Sequence, residues 1–265
     1  MATDPLGFRA GLDIAGGGPA SRETALLSTR SYAETINAVL FSGGSAFGLD
    51  AAGGVMQYME EHGMGFDVGM TKVPLVCQSS IFDLRTGDYR VRPDKEMGYK
   101  VCEAAMAENY RDGRFGAGTG ALVANSHGLE EAMPSGVGSY AVKVGDLMVG
   151  AVVVLNAYGD IYDFENGKLV KGHGDALECL GKESGLNTTL GAVITNAYFE
   201  KPKLEKIAAM TQDGYARCIK PVHTNYDGDS IYAISTGDVK SDVNFTGSLA
   251  AEVMAKAILI AACPE

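Results

Sequence analysis

With 265 residues, 46% of them hydrophobic, the chain can bury a sizeable core, so its 35 glycines read as tight turns and close backbone approaches and not as disorder. A net charge of −11 and an isoelectric point near 4.9 exclude a nucleic-acid partner, because no basic stripe is available to neutralise phosphates. The longest uncharged apolar runs, residues 148–155 and 257–263, fall short of the roughly 20 residues that cross a bilayer, so no membrane partner is expected.

Residues 38–41 read as a short buried strand feeding Gly43-Gly44-Ser45, where Ser45 stands as the N-cap of a helix over 46–62. Phe47, Ala51, Val55 and Met59 recur on one face of that helix, and Gly53-Gly54 inside it predicts close packing against a neighbour. A second helix is predicted over 93–108, with Pro93 near its start and Met97, Val101, Ala104 and Ala105 turned inward. Residues 139–144 and 148–155 flank Gly145-Asp146-Leu147 and predict paired strands, the second buried on both faces. From 159 to 187 the chain is charged and Gly-rich, which predicts a surface excursion; residues 189–196 then return as a core strand. An amphipathic helix follows over 201–219, with Leu204, Ile207, Ala208, Thr211, Tyr215 and Cys218 inward. Residues 230–235 alternate as a strand, and 249–261 close the chain as a helix capped by Ser248. No repeat or linker interrupts this series, so a single α/β domain over 1–265 is expected.

The chemistry concentrates where the excursion meets the strand at 189–196. There Gly185-Leu186-Asn187 runs into Thr188-Thr189. A flexible approach, a small Asn and a hydroxyl residue at the mouth of a buried strand suit a self-cleaving precursor. Thr188 attacks the preceding carbonyl, the Asn187–Thr188 bond breaks, and the new α-amine, with a pKa of roughly 7.7–8.0, serves as base for its own hydroxyl. A plain turn entering a strand uses the same residues, and spacing alone leaves both readings open. Asn156, at the end of the most apolar strand, is either a turn residue or a carboxamide donor to an oxyanion. Asp227-Gly228-Asp229 fails as a calcium loop, since Ser230 and Thr236 stand where Gly and Glu are needed; it remains a turn or an acidic partner of Thr188. An N-terminal amine makes His223 unnecessary as a base.

Other motifs resolve without chemistry. Gly116-Ala117-Gly118 lacks the preceding apolar strand of a dinucleotide fingerprint, and Phe47 replaces the second glycine of a nucleophile elbow around Ser45. The five cysteines are odd in number and lack C-x-x-C spacing, which predicts free thiols in a reducing compartment. The opening Met1-Ala-Thr-Asp-Pro-Leu6 has neither the basic nor the apolar region of a secretory signal, and a cytoplasmic location is expected. No metal and no cofactor is called for.

Phe41-Ser-Gly-Gly-Ser-Ala-Phe-Gly-Leu-Asp-Ala-Ala52, Gly65-Phe-Asp-Val-Gly69, Val73-Pro74 and Ser21-Arg-Glu-Thr-Ala-Leu-Leu27 resemble the L-aminopeptidase/D-esterase family, relatives of the β-peptidyl aminopeptidases. So do Gly116-Ala-Gly-Thr-Gly120, Leu155-Asn156-Ala157-Tyr158-Gly159, Asn187-Thr188-Thr189 and Pro221-Val-His-Thr-Asn-Tyr-Asp-Gly-Asp229, in the family's order. The resemblance implies a four-layer αββα sandwich of the DmpA/ornithine-acetyltransferase-like type, with self-cleavage into 1–187 and 188–265. It further implies Thr188 as N-terminal nucleophile, Asn156 as oxyanion donor, Asp229 and Asp227 as acidic partners, and a pocket near Ser45, Phe82, Gly118 and Thr189. The implied activity is release of N-terminal residues from small peptides, amides or esters by a homo-oligomer of αβ units. Three departures stand out. Relatives place Ser-Gly-Glu where Asp227-Gly228-Asp229 stands, and a Tyr near the acyl group where Phe82 stands. They also carry an N-terminal segment with a core strand ahead of the block matched by Ala10-Gly-Leu-Asp-Ile14, so the expectation here is either a truncated or misassigned start or an exposed sheet edge. The alternatives are ornithine-acetyltransferase-like acyl transfer, which would show Ala-Thr-Met at the junction, and an unprocessed, non-enzymatic ligand-binding homologue.

Overall fold

The computed structural model describes residues 2–106, 110–180 and 186–264. Eight strands share one hydrogen-bonded sheet: β1 (Ala2–Ile14), β2 (Ala20–Arg22), β3 (Ile36–Ser42), β4 (Val76–Ser80), β5 (Val137–Val144), β6 (Leu147–Val154), β7 (Leu190–Ala197) and β8 (Ser230–Val239). Their order is β2-β4-β3-β1-β8-β7-β6-β5. β1 joins two halves. Ala2, Thr3 and Phe8 pair with β3, whereas Arg9 to Ile14 pair antiparallel with β8, and a register break falls between Thr3 and Phe8.

The two halves face each other because their strands alternate cleanly. In β8, Ile231 and Ala233 enter the outer core, while Tyr232 and Ile234 pack with Ile36, Val39 and Cys77 of the opposite half. The hydroxyls of Ser79 and Tyr232 close the gap at 2.8 Å. Four helices, α1 (Ala51–Glu61), α2 (Lys95–Met106), α3 (Lys201–Cys218) and α4 (Val243–Ala262), cover the outside. Ala52, Val55, Met59 and Cys102 of α1 and α2 pack on Ala38, Leu40 and Val76, and α3 and α4 pack on β5 to β8. The expected αββα layering is therefore present.

Gly53-Gly54 does mark a close approach. A Cβ on Gly54 would sit 1.8 Å from the Lys95 carbonyl oxygen, and one on Gly98 of α2 would sit 1.9 Å from that of Ala51. The inward face of α3 also matches expectation: Leu204, Ile207, Ala208, Thr211, Tyr215 and Cys218 are all buried, each large apolar side chain contributing roughly 1.5–3 kcal/mol.

Several local expectations fail. Ser45 caps no helix, because its backbone is left-handed (φ 53°) and residues Ser45–Asp50 form a 3₁₀ turn ahead of α1. Phe47 therefore leaves the helical face and lies exposed, with the Arg92 guanidinium 3.9 Å from its ring centre. Met97 is exposed, and Cys102 takes an inward position on α2. α4 begins earlier than predicted because the Asp242 carboxylate accepts the N–H groups of Asn244 and Phe245 at 2.9 and 3.0 Å, which leaves Ser248 mid-helix. β6 is fully buried on one face only, with Met148 half exposed on the other. The excursion from 159 is partly core: Asp160 and Ile161 are buried in the strand Asp160–Tyr162, which pairs with Leu169–Lys171 and Ile219–Lys220.

Among the described residues, β1 runs through the centre of the sheet and β2 and β5 are its edges. α4 has the length and apolarity of a membrane span, but here 61% of its most apolar window is buried inside the fold. Among the described residues no disulfide joins the cysteines, and burial pushes the Cys77 and Cys218 thiols up to about 12.

Candidate active site

Sheet register builds the site. β6 and β7 are antiparallel with Val154 opposite Leu190, and the same register carried two residues further sets Asn156 opposite Thr188. There the Thr188 N–H donates to the Asn156 carbonyl at 2.9 Å. β7 and β8 are parallel with Leu190 beside Ser230, and a bridge pairs Asn187 with Asp227. One continuous register thus aligns Asn156, Thr188 and Gly228 across three neighbouring strands.

The Thr188 hydroxyl donates to the Asn187 carbonyl oxygen at 2.5 Å. The Gly228 N–H donates to that same oxygen at 2.9 Å. Asn187 and Thr188 are each only 3% exposed, while Leu186 before them is 49% exposed, so the chain dives inward at the junction. The glycine-bearing approach at 181–185 lies outside the described residues. Asn125 Nδ2 holds Asn187 Oδ1 at 2.8 Å. Among the described residues, Asn187 Nδ2 and Thr189 Oγ1 are buried without a partner, each costing the fold about 1–3 kcal/mol.

The two carboxylates divide the work: Asp229 binds the junction backbone, and Asp227 binds the turn beside it. Asp229 Oδ1 accepts the Thr189 N–H at 2.9 Å, and Oδ2 accepts the His223 N–H at 3.2 Å and lies 3.0 Å from His223 Nδ1. Asp227 accepts the N–H and hydroxyl of Thr224 at 3.0 and 2.6 Å, which ties the turn that delivers Gly228. Gly16-Gly17-Gly18, which the sequence reading passed over, cradles this turn: the N–H groups of Gly17 and Gly18 donate to the Thr224 and Asp227 carbonyls. The signal for them was a bare glycine run directly after a strand.

Burial first, and then the Asp229 charge, pushes the Asp227 carboxyl up to about 6. A carboxyl raised above its unfolded value of about 3.9 favours the fold when protonated; that contribution is complete below about pH 4 and is lost as pH rises through about 6. Asp227→Asn keeps an oxygen for Thr224. It is expected to flatten the pH dependence of unfolding between about pH 4 and 6 and to exceed wild type by at most about 3 kcal/mol at about pH 8. Urea melts at three pH values test this, and parallel curves for the two proteins would contradict it.

Asn156 is 2% exposed, and its carboxamide is engaged on both sides: Oδ1 accepts the Leu122 N–H at 3.1 Å, and Nδ2 donates to the Phe82 carbonyl at 3.1 Å. The amide nitrogen keeps a second hydrogen for another acceptor. Phe82 in turn stands next to Asp83, which lines a cavity of about 490 Å³ with Gly44, Tyr89, Arg92, Met97 and Arg114. Burial raises the Asp83 pKa against the opposing Gly44 N–H, which donates to its carboxylate at 2.7 Å. Ser45 and Phe82 thus border this cavity through their neighbours, whereas Gly118 is buried, with Val137 where its Cβ would be. The Asp229 carboxylate holds the Thr189 backbone N–H, while the buried Thr189 hydroxyl has no partner among the described residues.

This layering is the variant of the N-terminal-nucleophile (Ntn) hydrolase fold seen in solved aminopeptidase structures. Two solved structures share it at low identity: a β-aminopeptidase of Burkholderia sp. (TM-score 0.69, 15% identity, 96% of this chain and 73% of that one) and the L-aminopeptidase D-Ala-esterase/amidase of Ochrobactrum anthropi (TM-score 0.67, 15% identity, 98% and 74%). The chain belongs to Peptidase family S58, whose family model matches residues 5–263. It is 35% identical to an uncharacterized aminopeptidase of Mycobacterium leprae over 97% of this chain and 80% of the relative. It is 29% identical to a 6-aminohexanoate-oligomer endohydrolase of Kocuria sp. over 97% and 78%. The protein is therefore a hydrolase of an aminopeptidase family.

Proposed function

We propose that the chain cuts its own Asn187–Thr188 bond and then acts as an N-terminal-threonine aminopeptidase on small peptides, amides or esters. The observation that supports this most directly is the shared oxygen of Asn187, which receives the Thr188 hydroxyl at 2.5 Å and the Gly228 N–H at 2.9 Å.

In the first step Thr188 Oγ1 bonds to the Asn187 carbonyl carbon, and the Gly228 N–H stabilises the oxyanion. The C–N bond then breaks, the hydroxyl proton passes to the departing Thr188 nitrogen, and an ester links Asn187 to Oγ1. Water hydrolyses that ester, leaving a carboxylate on Asn187 and a free amine and hydroxyl on Thr188. The Asn156 carbonyl, already 2.9 Å from this nitrogen, holds the new amine. In turnover the amine takes the hydroxyl proton, Oγ1 attacks the substrate carbonyl, the leaving group departs with that proton, and water resolves the acyl-Thr188. The Gly228 N–H, once released from Asn187, and the second hydrogen of Asn156 Nδ2 serve the substrate oxyanion. The cavity beyond Phe82 takes the substrate's N-terminal residue, with the Asp83 carboxylate accepting its ammonium. Relatives named for aminopeptidase and amide-oligomer cleavage support an amide substrate.

Intact-mass measurement is expected to resolve fragments 1–187 and 188–265, the second beginning Thr188-Thr189-Leu190. A lone 27.7 kDa species after prolonged incubation would overturn self-cleavage.

A further inference from the structure

Away from the junction, three chemically different side chains from two segments converge. His127 Nε2 lies 2.7 Å from Asp175 Oδ1 and 3.7 Å from Cys179 Sγ, and the three donor atoms all fall within 4.8 Å of one another. We propose that His127, Asp175 and Cys179 form a binding site for a zinc-type divalent cation, one that stands independently of the self-cleavage reading.

The spacing suits the metal. A tetrahedral zinc with bonds of about 2.0–2.1 Å to nitrogen and oxygen and about 2.3 Å to sulfur sets its N and S ligands about 3.5 Å apart and its N and O ligands about 3.4 Å apart. The N···S distance is met already, and the N···O pair opens slightly as the hydrogen bond between them gives way to the cation. Imidazole and thiolate with a single carboxylate select zinc or cobalt over calcium or magnesium, which need mostly oxygen. Three protein ligands leave the fourth position to water. On binding, the Cys179 thiol releases its proton to solvent.

The loop that carries two of the ligands is held in place from behind. Buried Asp160 accepts the N–H groups of His173, Gly174 and Ala176 at 3.2, 2.8 and 3.4 Å. The Glu178 and Cys179 N–H groups then turn back on the Asp175 and Ala176 carbonyls. His173 flanks the site, its ring 4.5 Å from that of His127 and its Nε2 3.2 Å from the Glu131 carbonyl oxygen.

A cation here would clamp the 172–180 loop to the turn at 125–127. Asn125 of that turn holds Asn187 at 2.8 Å, and Cys179 precedes Asn187 by eight positions. Metal binding would therefore brace the Asn125 contact with the junction.

The test is Co²⁺ titration of the chelator-treated full chain, in wild type and in Thr188→Ala so that processing does not bear on the result. One cobalt per chain is expected, with thiolate-to-cobalt charge-transfer absorption that Zn²⁺ abolishes. Cys179→Ser should remove the band, His127→Ala should weaken binding about tenfold or more, and Cys263→Ser, which alters the exposed thiol, should change neither. Far-UV circular dichroism confirms that each variant is folded. Absence of the band in wild type, or its loss in Cys263→Ser and survival in Cys179→Ser, overturns the site.

Discussion

Thr188→Ala is expected to remain a single 27.7 kDa chain and to lose aminopeptidase turnover by roughly 10⁴-fold or more. Both losses have one cause, because the hydroxyl that attacks Asn187 and the amine released by that attack belong to the same residue. Thr188→Ser should keep both activities, since a primary hydroxyl reaches the same carbonyl with less crowding. Thr189→Ala should fold and cut at least partly. Asp229 grips the Thr189 backbone N–H and not its hydroxyl, and that hydroxyl has no partner among the described residues. Fragment formation and turnover of small amino-acid amides, measured across the three variants, decide the matter. If Thr188→Ala cuts at the same bond, or Thr189→Ala alone is inactive, the nucleophile lies at least one residue away from Thr188.

The contrast between Thr188 and Gly228 shows where sequence reasoning reaches its limit. The positions of Thr188 and Asn156 were legible because each ends or precedes an apolar run whose strand character is a local property, and the family resemblance implies the roles proposed for them. Single elements were legible for a similar reason, since alternation in β8 and the helical period in α3 can be read without knowing any partner, whereas the layered fold came from the family resemblance. Gly228 looked like the middle of an ordinary Asp-Gly turn. Its N–H meets the Asn187 oxygen only through the β7–β8 register, a pairing between segments some forty residues apart that no local pattern encodes. Ser45 failed for the complementary reason. Its type and its place before an apolar period suit a cap, but the left-handed backbone at Gly44 and Ser45, fixed by the Ser45 N–H on the Ile81 carbonyl, overrides that preference. Asp83 also escaped notice, since its importance lies in a cavity assembled from Gly44, Gly120 and the segment at 86–93.

Gly228→Ala is the second substitution with a large expected effect, and the space around it explains why. An added Cβ would lie 2.6 Å from Thr188 Oγ1 and 2.8 Å from the Gly18 carbonyl oxygen, distances real Cβ atoms do not tolerate. The hydroxyl is short and tied to the junction, and the Gly18 carbonyl is backbone. Relief therefore comes by moving residue 228 outward, which draws its N–H off the Asn187 oxygen. Loss of one preorganised donor to an oxyanion slows reaction by roughly 10²–10³-fold, so cleavage at Asn187–Thr188 should slow by about that factor. Asn156→Ala serves as comparator. Its amide contacts Phe82 and Leu122 and not the Asn187 oxygen, so it should slow substrate turnover by roughly a hundredfold while sparing self-cleavage more than Gly228→Ala does. Thermal unfolding in the Thr188→Ala background, where one of the two close contacts is gone, separates a misfolded Gly228→Ala protein from a folded one that cannot cut. Self-cleavage of folded Gly228→Ala at the wild-type rate would remove Gly228 from the mechanism and leave Thr188 to react without this donor.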